Sequence, residues 1–245
     1  QGDEWTAPGT LPFSGSYSDA DPAFAPDGNR IYFISMRPLE GEGPPREDWD
    51  LWVVERTAGG WGEPRNLGTP VNTEQPEVYP SVAADGTLYF SSGRPGGLGK
   101  NDIYRSRIVD GAFGEPENLG PAINSEQSEG DLFIAPDQSY IVFVSSGRPD
   151  SLGRGDLYVS FRAEDGAWTP AINLGQGVNS HWTEYCPSVT PDGKYLFFTS
   201  YRVAREEPSA VPLTYEEIQS AYVTPRGGMG DVYWVDAAIL DALRP

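Results

Sequence analysis

Short apolar or alternating runs, each closed by Gly, Pro or an Asp-Gly pair, recur along the whole chain. The clearest are RIYFIS, TLYFSS, YIVFVS and YLFFTS, each just after a turn: Asp27-Gly28, Asp85-Gly86, Asp137-Gln138 and Asp192-Gly193. Before each turn stands another short run: PAFAP, PSVAA, LFIAP or PSVTP. Runs of this length, rich in aromatic and β-branched residues and bounded by turn formers, predict strands joined as hairpins. Each copy then reaches an arginine (Arg37, Arg94, Arg148, Arg202) and crosses a Gly/Pro-rich loop. An aspartate opens a third strand: Asp50 in DLWVVE, Asp102 in DIYRSR, Asp156 in DLYVSF and Asp231 in DVYWVD. A fourth element carries an aromatic with a leucine six residues on: Trp61 and Leu67, Phe113 and Leu119, Trp168 and Leu174.

The repeating unit is therefore four short strands, a to d, in about fifty-five residues, the content of one propeller blade. A blade cannot bury both faces alone, so copies must stack around an axis. In Leu88-Tyr89-Phe90-Ser91 both faces are largely apolar, as a sheet held between two neighbours requires. The expected fold is all-β: a four-bladed β-propeller, four antiparallel strands per blade, in one domain over 1–245. Blade 1 covers 19–73, blade 2 covers 74–124, blade 3 covers 125–179 and blade 4 covers 180–245 with a long loop at 203–230. The fourth copy stops after strand c, and Trp5 with Leu11 six residues later matches the missing strand d. The N-terminal strand (1–18) is thus expected to complete blade 4 and close the ring.

The stretch YPSVAADGTLYFSSGRPGGLGKNDIY and its three echoes resemble the TolB-type, WD-like propeller repeat of bacterial envelope proteins. The resemblance covers nearly the whole chain. It implies an exported protein, periplasmic or secreted, acting as a binding platform for a protein or a cell-envelope polymer such as a polysaccharide. Distant relatives of that repeat are enzymes on polysaccharides or peptides. Most such propellers have six or more blades. A ring of four has a tighter channel, so no deep central pocket is expected.

Acidic residues number 36 and basic residues 17, a formal charge of −19. Such a surface repels nucleic acid and anionic membranes and favours cations, basic proteins or neutral sugars. No apolar run approaches the length of a membrane span, and no signal peptide is visible ahead of Gln1-Gly2-Asp3. Cys186 is the single cysteine, so no intrachain disulfide forms, and beside Pro187 it is expected to be buried. A monomer is expected.

Strand polarity puts the repeated charges on one rim. Each blade places an acid there as strand a begins (Asp19, Glu77, Glu129, Glu184), beside the strand-b arginine and the strand-c aspartate. Repetition in every blade points to a structural ion-pair ladder, each arginine forking to two carboxylates and tying blade to blade. Surplus acids would leave a negative mouth. No cofactor is required, although that mouth has the chemistry for a cation such as calcium. The Asp-Gly turns and Asn66, Asn118 and Asn173 of the Asn-Leu-Gly triplets read as structural.

Specificity is sought where the copies differ. From arginine to aspartate the b–c loop spans eight residues in blades 2 and 3, thirteen in blade 1 and twenty-nine in blade 4. The longest loop carries LTYEEIQSAYV, where Thr214 can cap a short helix. Blades 4 and 1 adjoin, so both long loops can wall an off-centre cleft. Its expected ligand-binding residues are His181, Trp182, Glu184, Tyr185, Arg202, Arg205 and Tyr215, with Arg37 and Trp49 from the facing blade. His181 is the only histidine, which is too few for a transition-metal site. No G-x-S-x-G elbow, phosphate loop or H-E-x-x-H occurs. The expectation is a non-catalytic binding module. The alternative is a carbohydrate-active hydrolase or lyase using rim carboxylates as acid and base.

Overall fold

The β-branched and aromatic runs pair with their sequence neighbours, because tight Asp-Gly turns leave no reach for any other partner. In the computed structural model, residues 7, 9–203, 211–222, 224–227 and 229–245 are described. They form four antiparallel sheets set in a ring, the arrangement of a four-bladed propeller. Blade 1 contains β1 (Asp19–Phe24), β2 (Arg30–Ser35), β3 (Asp50–Thr57), β4 (Gly60–Trp61) and β5 (Arg65–Asn66). Blade 2 contains β6 (Glu77–Val82), β7 (Leu88–Ser92), β8 (Asp102–Ser106), the hairpin β9 (Ile108–Val109) and β10 (Ala112–Phe113), and β11 (Glu117–Asn118). Blade 3 contains β12 (Ser128–Ile134), β13 (Tyr140–Ser146), β14 (Asp156–Phe161) and β15 (Ile172–Asn173). Blade 4 contains β16 (Glu184–Val189), β17 (Tyr195–Ser200) and β18 (Asp231–Asp236). Helix α1 (Tyr215–Tyr222) sits in the long blade 4 loop, and α2 (Ala238–Ala242) follows β18. No helix among the described residues is long and apolar enough to cross a membrane.

Three seams hold the blades together. Tyr32, Ile34, Leu51 and Val53 of blade 1 meet Leu88, Phe90 and Tyr104 of blade 2. Tyr89 and Ile103 on the other face of blade 2 meet Ile141, Phe143 and Tyr158. Val142, Leu157, Val159 and Phe161 meet Leu196 and Phe198 of blade 4. The TLYFSS run thus buries alternate residues on opposite faces, as its two-sided apolar pattern predicts. Backbone bonds stitch the same seams: the N–H groups of Glu77, Glu129 and Glu184 donate to the carbonyls of Trp49, Asn101 and Gly155 (3.0, 2.9 and 2.9 Å).

At the blade 1 side of the fourth seam, Ile31, Phe33, Trp52 and Val54 pack with Leu11, Phe13 and Trp61. Residues 1–6 and 8, which carry most of the expected closing strand including Trp5, lie outside the described residues. Of its described members, Leu11 rests on blade 1. Among the described residues β18 is the outermost strand of a three-stranded sheet.

Candidate functional site: the rim and the channel neck

The rim charges are built from the repeat: each strand-b arginine pairs with the acid of its own blade, and Arg94, Arg148 and Arg202 also donate to the Val71 (2.6 Å), Ile123 and Val178 carbonyls of the preceding blade. Fully buried Glu77 accepts from Thr73 N–H (2.8 Å), Thr73 Oγ1 (2.7 Å), Ser92 Oγ (2.7 Å) and Arg94 (3.1 Å). Glu129 repeats the set with Ser125, Ser145 and Arg148, and Glu184 with Ser180, Ser200 and Arg202. In blade 1 the shorter Asp19 accepts from Ser14 Oγ (2.9 Å) and Arg37 (2.7 Å). Each arginine also lies over aromatic rings of its own blade, Arg94 over Phe90 and Tyr104 at 5.1 and 5.0 Å. The expected fork to two carboxylates across a seam is not the arrangement formed. Each arginine takes one carboxylate, in its own blade, because the strand-c aspartate is turned toward its own loop. Asp102 accepts from Gly99 N–H (3.0 Å) and Asn118 Nδ2 (2.6 Å), and Asp156 from Gly153 N–H (2.9 Å) and Asn173 Nδ2 (2.7 Å).

Blade 1 departs from this in its longer loop. Arg46 donates to Asp50 Oδ2, while Oδ1 of Asp50 and Oδ1 of Asp48 are buried without a hydrogen-bond partner. Burial, and then the neighbouring Asp50, push the Asp48 carboxyl above its ordinary pKa. Two such oxygens fall short of the six to eight that calcium takes. Among the described residues no group of three or more His, Cys, Asp or Glu is placed to hold a metal ion.

Of the expected cleft residues, Glu184 with Arg202 and His181 with Trp182 are in contact. Glu184 and Arg202 are partners in the blade 4 pair, and Arg202 lies over Phe198 and Tyr233. Arg37 is buried against Asp19, Phe33 and Trp52. Trp49 packs into the seam between blades 1 and 2. Tyr215 is exposed on α1, which Thr214 and Glu217 cap reciprocally (3.2 and 2.8 Å). Arg205 lies outside the described residues. Two aromatic groups do form on the rim: His181 beside Trp182 at 5.4 Å, with Arg154 over Trp182, and Tyr185 stacked on Tyr201 at 5.2 Å.

The unexpected group lies just inside that rim, on the innermost strands. Every strand a is bulged, with register breaks at Ala20/Ala23, Val78/Ser81, Gly130/Phe133 and Tyr185/Ser188. Two residues after the acid that opens each strand a, the backbone is left-handed: Asp21 (φ 50°), Tyr79 (56°), Asp131 (45°) and Cys186 (51°). Such φ values are uncommon for non-glycine residues, and a bulge redirects the side chain it carries. The side chains of Asp21, Tyr79 and Asp131 reach toward the next blade. Asp21 accepts from the Tyr79 backbone N–H, the Tyr79 ring lies against Gly130, and Asp131 Oδ2 accepts from Cys186 N–H at 2.7 Å.

These four residues form a negatively charged neck. Burial, and then the Asp21 charge, raise the Asp131 carboxyl to about 6, partly offset by the Cys186 bonds. Burial also raises Asp21. Tyr79 rises to about 12 through burial and the charges of Asp131 and Asp21. Cys186 rises to about 12 through burial and the same two aspartates. No basic side chain enters any of these balances. Cys186 is solvent-accessible rather than buried as expected, because the bulge turns it out of the pleat. Asp21, Tyr79 and Asp131 were not among the expected site residues. Pro22 and Pro80 signal Asp21 and Tyr79, as Pro187 signals Cys186, since proline inside an innermost strand is tolerated only at a bulge; Asp131, followed by Leu132, carries no such signal. On the opposite rim, a cleft of about 130 Å³ between blades 1 and 2 is smaller than a typical small-molecule site.

No protein-family model matches the chain. No curated protein matches it. Among solved structures it is similar to TolB from Acinetobacter baumannii, at 15% identity and a TM-score of 0.48 over 80% of this chain and 39% of that one. It is also similar to a putative TolB from Agrobacterium tumefaciens (17%, TM-score 0.47, 79% and 73%). An α-L-arabinofuranosidase from Lactobacillus brevis is comparable (14%, TM-score 0.49, 79% and 68%). The chain spans about two fifths of the length of the first of these. Likenesses at this level bear on neither activity nor partner.

Proposed function

We propose that the chain is an exported, non-catalytic binding module that takes a protein or cell-envelope polymer on its loop-bearing rim, over the acidic neck. The observation that carries this reading is the contrast between the two sets of carboxylates. The acids that open each strand a, Asp19, Glu77, Glu129 and Glu184, are each paired with an arginine, whereas Asp21 and Asp131 each accept only a backbone N–H, from Tyr79 and Cys186. Asp21 and Asp131 face a channel with no cationic side chain in their balance. A neck of that kind favours a positively charged ligand group, and the long blade 4 loop, with His181, Trp182 and Tyr185 beside it, offers contact area around it. Export rests on the likeness of the repeat to those of envelope proteins. Capture from envelope extract by the whole chain tests the reading. It predicts loss of the captured species when 203–230 is shortened or when Asp21→Asn and Asp131→Asn are combined, with the fold retained. Undiminished capture by both variants refutes it.

One observation favours a second reading, a hydrolase or lyase. Two interacting carboxylates, one raised to about 6, have the complementary character of an acid and base pair. That reading predicts turnover of a polysaccharide or glycoside, with a pH profile that loses one limb in Asp131→Asn.

A further inference from the structure

Blade 1 holds its strand-c aspartate in a way of its own. In blades 2 and 3 two loop N–H groups close on that carboxylate: Leu98 and Gly99 on Asp102 (2.5 and 3.0 Å), Leu152 and Gly153 on Asp156 (2.6 and 2.9 Å). The path requires glycine, since a Cβ on Gly99 or Gly153 would lie 2.2 Å from the Gln127 or Trp182 carbonyl oxygen. Counted back from Asp50, Arg46 and Glu47 stand in those two places, and a glutamate cannot follow that path. The Arg46 N–H turns instead to the Met36 carbonyl (2.7 Å), and its guanidinium donates to Asp50 Oδ2.

The charge two residues before the aspartate also changes sign. Blades 2 and 3 have Lys100 and Arg154 there, and blade 1 has Asp48. One guanidinium thus serves two carboxyls, bonded to Asp50 and 4.0 Å from Asp48 Oδ2. Asp50 is 2% exposed and takes its other bond from Asn66 Nδ2 (2.8 Å). Oδ1 of each aspartate is buried with no partner among the described residues. Arg46 and Asp50 are the charged groups that act on Asp48. Glu47 is exposed, and Arg37, which lies over the Trp52 ring, is answered by Asp19. Two buried anions against one cation leave a surplus charge that costs more to bury than a neutral acid. A proton on Asp48 removes that surplus and turns an orphaned acceptor into a donor.

We infer that Asp48 is held as the neutral acid in the folded chain and that its proton latches the blade 1 loop, residues 38–48, to strand β3. When the proton leaves, Arg46 faces two competing carboxylates, and the buried oxygens gain donors only by opening the loop to water. Residues 39–45 are exposed, and the Tyr17 hydroxyl holds their middle at the Gly43 carbonyl (3.4 Å). Release of Arg46 therefore moves one wall of the loop-bearing rim. Burial, and then the Asp50 charge, raise the Asp48 carboxyl above its ordinary 3.8. A raised carboxyl stabilises the closed loop fully below 3.8, and that stability is lost as pH rises through the folded midpoint. The latch is closed in acid and released above that midpoint. It is separate from the neck and needs no ligand there.

Two readouts on the full chain test this. One is the carboxyl carbon shift of labelled aspartates as a function of pH, with the Asp48 signal assigned by its loss in Asp48→Asn. The other is hydrogen exchange at the Arg46 amide, corrected for the intrinsic pH dependence of exchange. The Asp48 signal should titrate above 3.8. Protection at Arg46 should fall across the same midpoint, by about tenfold for each unit that the midpoint lies above 3.8. Asp48→Asn keeps the shape without the charge and should hold its protection at every pH. An Asp48 signal that titrates at or below 3.8 overturns the inference, whatever the variant does. So does protection that ignores pH in the unaltered chain, or that falls equally in Asp48→Asn.

Discussion

Replacing Asp131 with asparagine should stabilise the protein at neutral pH and do little in acid. The carboxyl titrates at about 6 in the fold against 3.8 for its ordinary value. A raised carboxyl binds its proton more tightly in the folded chain. The stability this gives is fully present below 3.8 and is lost as pH rises through 6, where the ionised form is held beside Asp21. A shift of about two units sets a ceiling of about 3 kcal/mol. The side chain is partly accessible, which reduces the expected gain to about 1–2 kcal/mol. Asparagine keeps an oxygen to accept from Cys186 N–H, so the bond between blades 3 and 4 survives. For a chain of this size the gain corresponds to about 2–8 °C in Tm. Thermal unfolding followed by circular dichroism at pH 8 and pH 4 measures it. The increase should be present at pH 8 and mostly gone at pH 4. An equal increase at both values, or a loss at pH 8, would refute the electrostatic account of the neck.

Arg94→Ala should cost about 3 kcal/mol by stranding buried Glu77 without its counter-charge, and Arg94→Lys should recover little because the stack on Phe90 and Tyr104 is lost; denaturant titration reads both. Asn124→Ala should cost about 2–3 kcal/mol, since the N–H and carbonyl of Ile103 lose their buried partner; an unchanged unfolding midpoint would contradict the clamp. Cys186, although accessible, should react with iodoacetamide at pH 7.5 about one to two orders of magnitude more slowly than in the unfolded chain, because its thiol is pushed up to about 12 and the greater nucleophilicity of the rarer thiolate offsets only part of that. Asp131→Asn should speed that alkylation by removing the nearest carboxylate, and an unchanged rate would place the thiol outside the neck.

The blades were legible because their signal is repeated and local. Turns opened by aspartate, aromatic strands and the order of arginine then aspartate recur four times, and the turn with its flanking strands fixes a hairpin without long-range information. The ion-pair ladder was legible as composition but not as geometry. Sequence places an arginine near two acids, and only the loop backbone decides that Gly99 and Gly153 N–H groups claim the strand-c aspartates. The neck was harder to read. Asp21, Tyr79, Asp131 and Cys186 are three residue types in four blades, so they look like noise in a repeat, and their common property is a backbone angle. Trp49 was assigned to a cleft because it flanks a long loop, yet the same aromatic character draws it into the seam between blades 1 and 2. Residues of the long blade 4 loop carry no repeat partner, so their positions follow from tertiary packing alone.

The claim that the neck is an acidic binding site is tested most directly by calorimetric titration of the whole chain with a trilysine peptide, with triglutamate as control. The comparison is between the unaltered chain, the Asp21→Asn/Asp131→Asn variant and a variant losing two carboxylates on the opposite rim, Asp27→Asn/Asp192→Asn. The account predicts saturable trilysine binding, no triglutamate binding, at least tenfold weaker affinity in the neck variant and less than a twofold change in the opposite-rim variant. Equal weakening by both variants would reduce the effect to the overall charge of −19 and contradict a site at the neck.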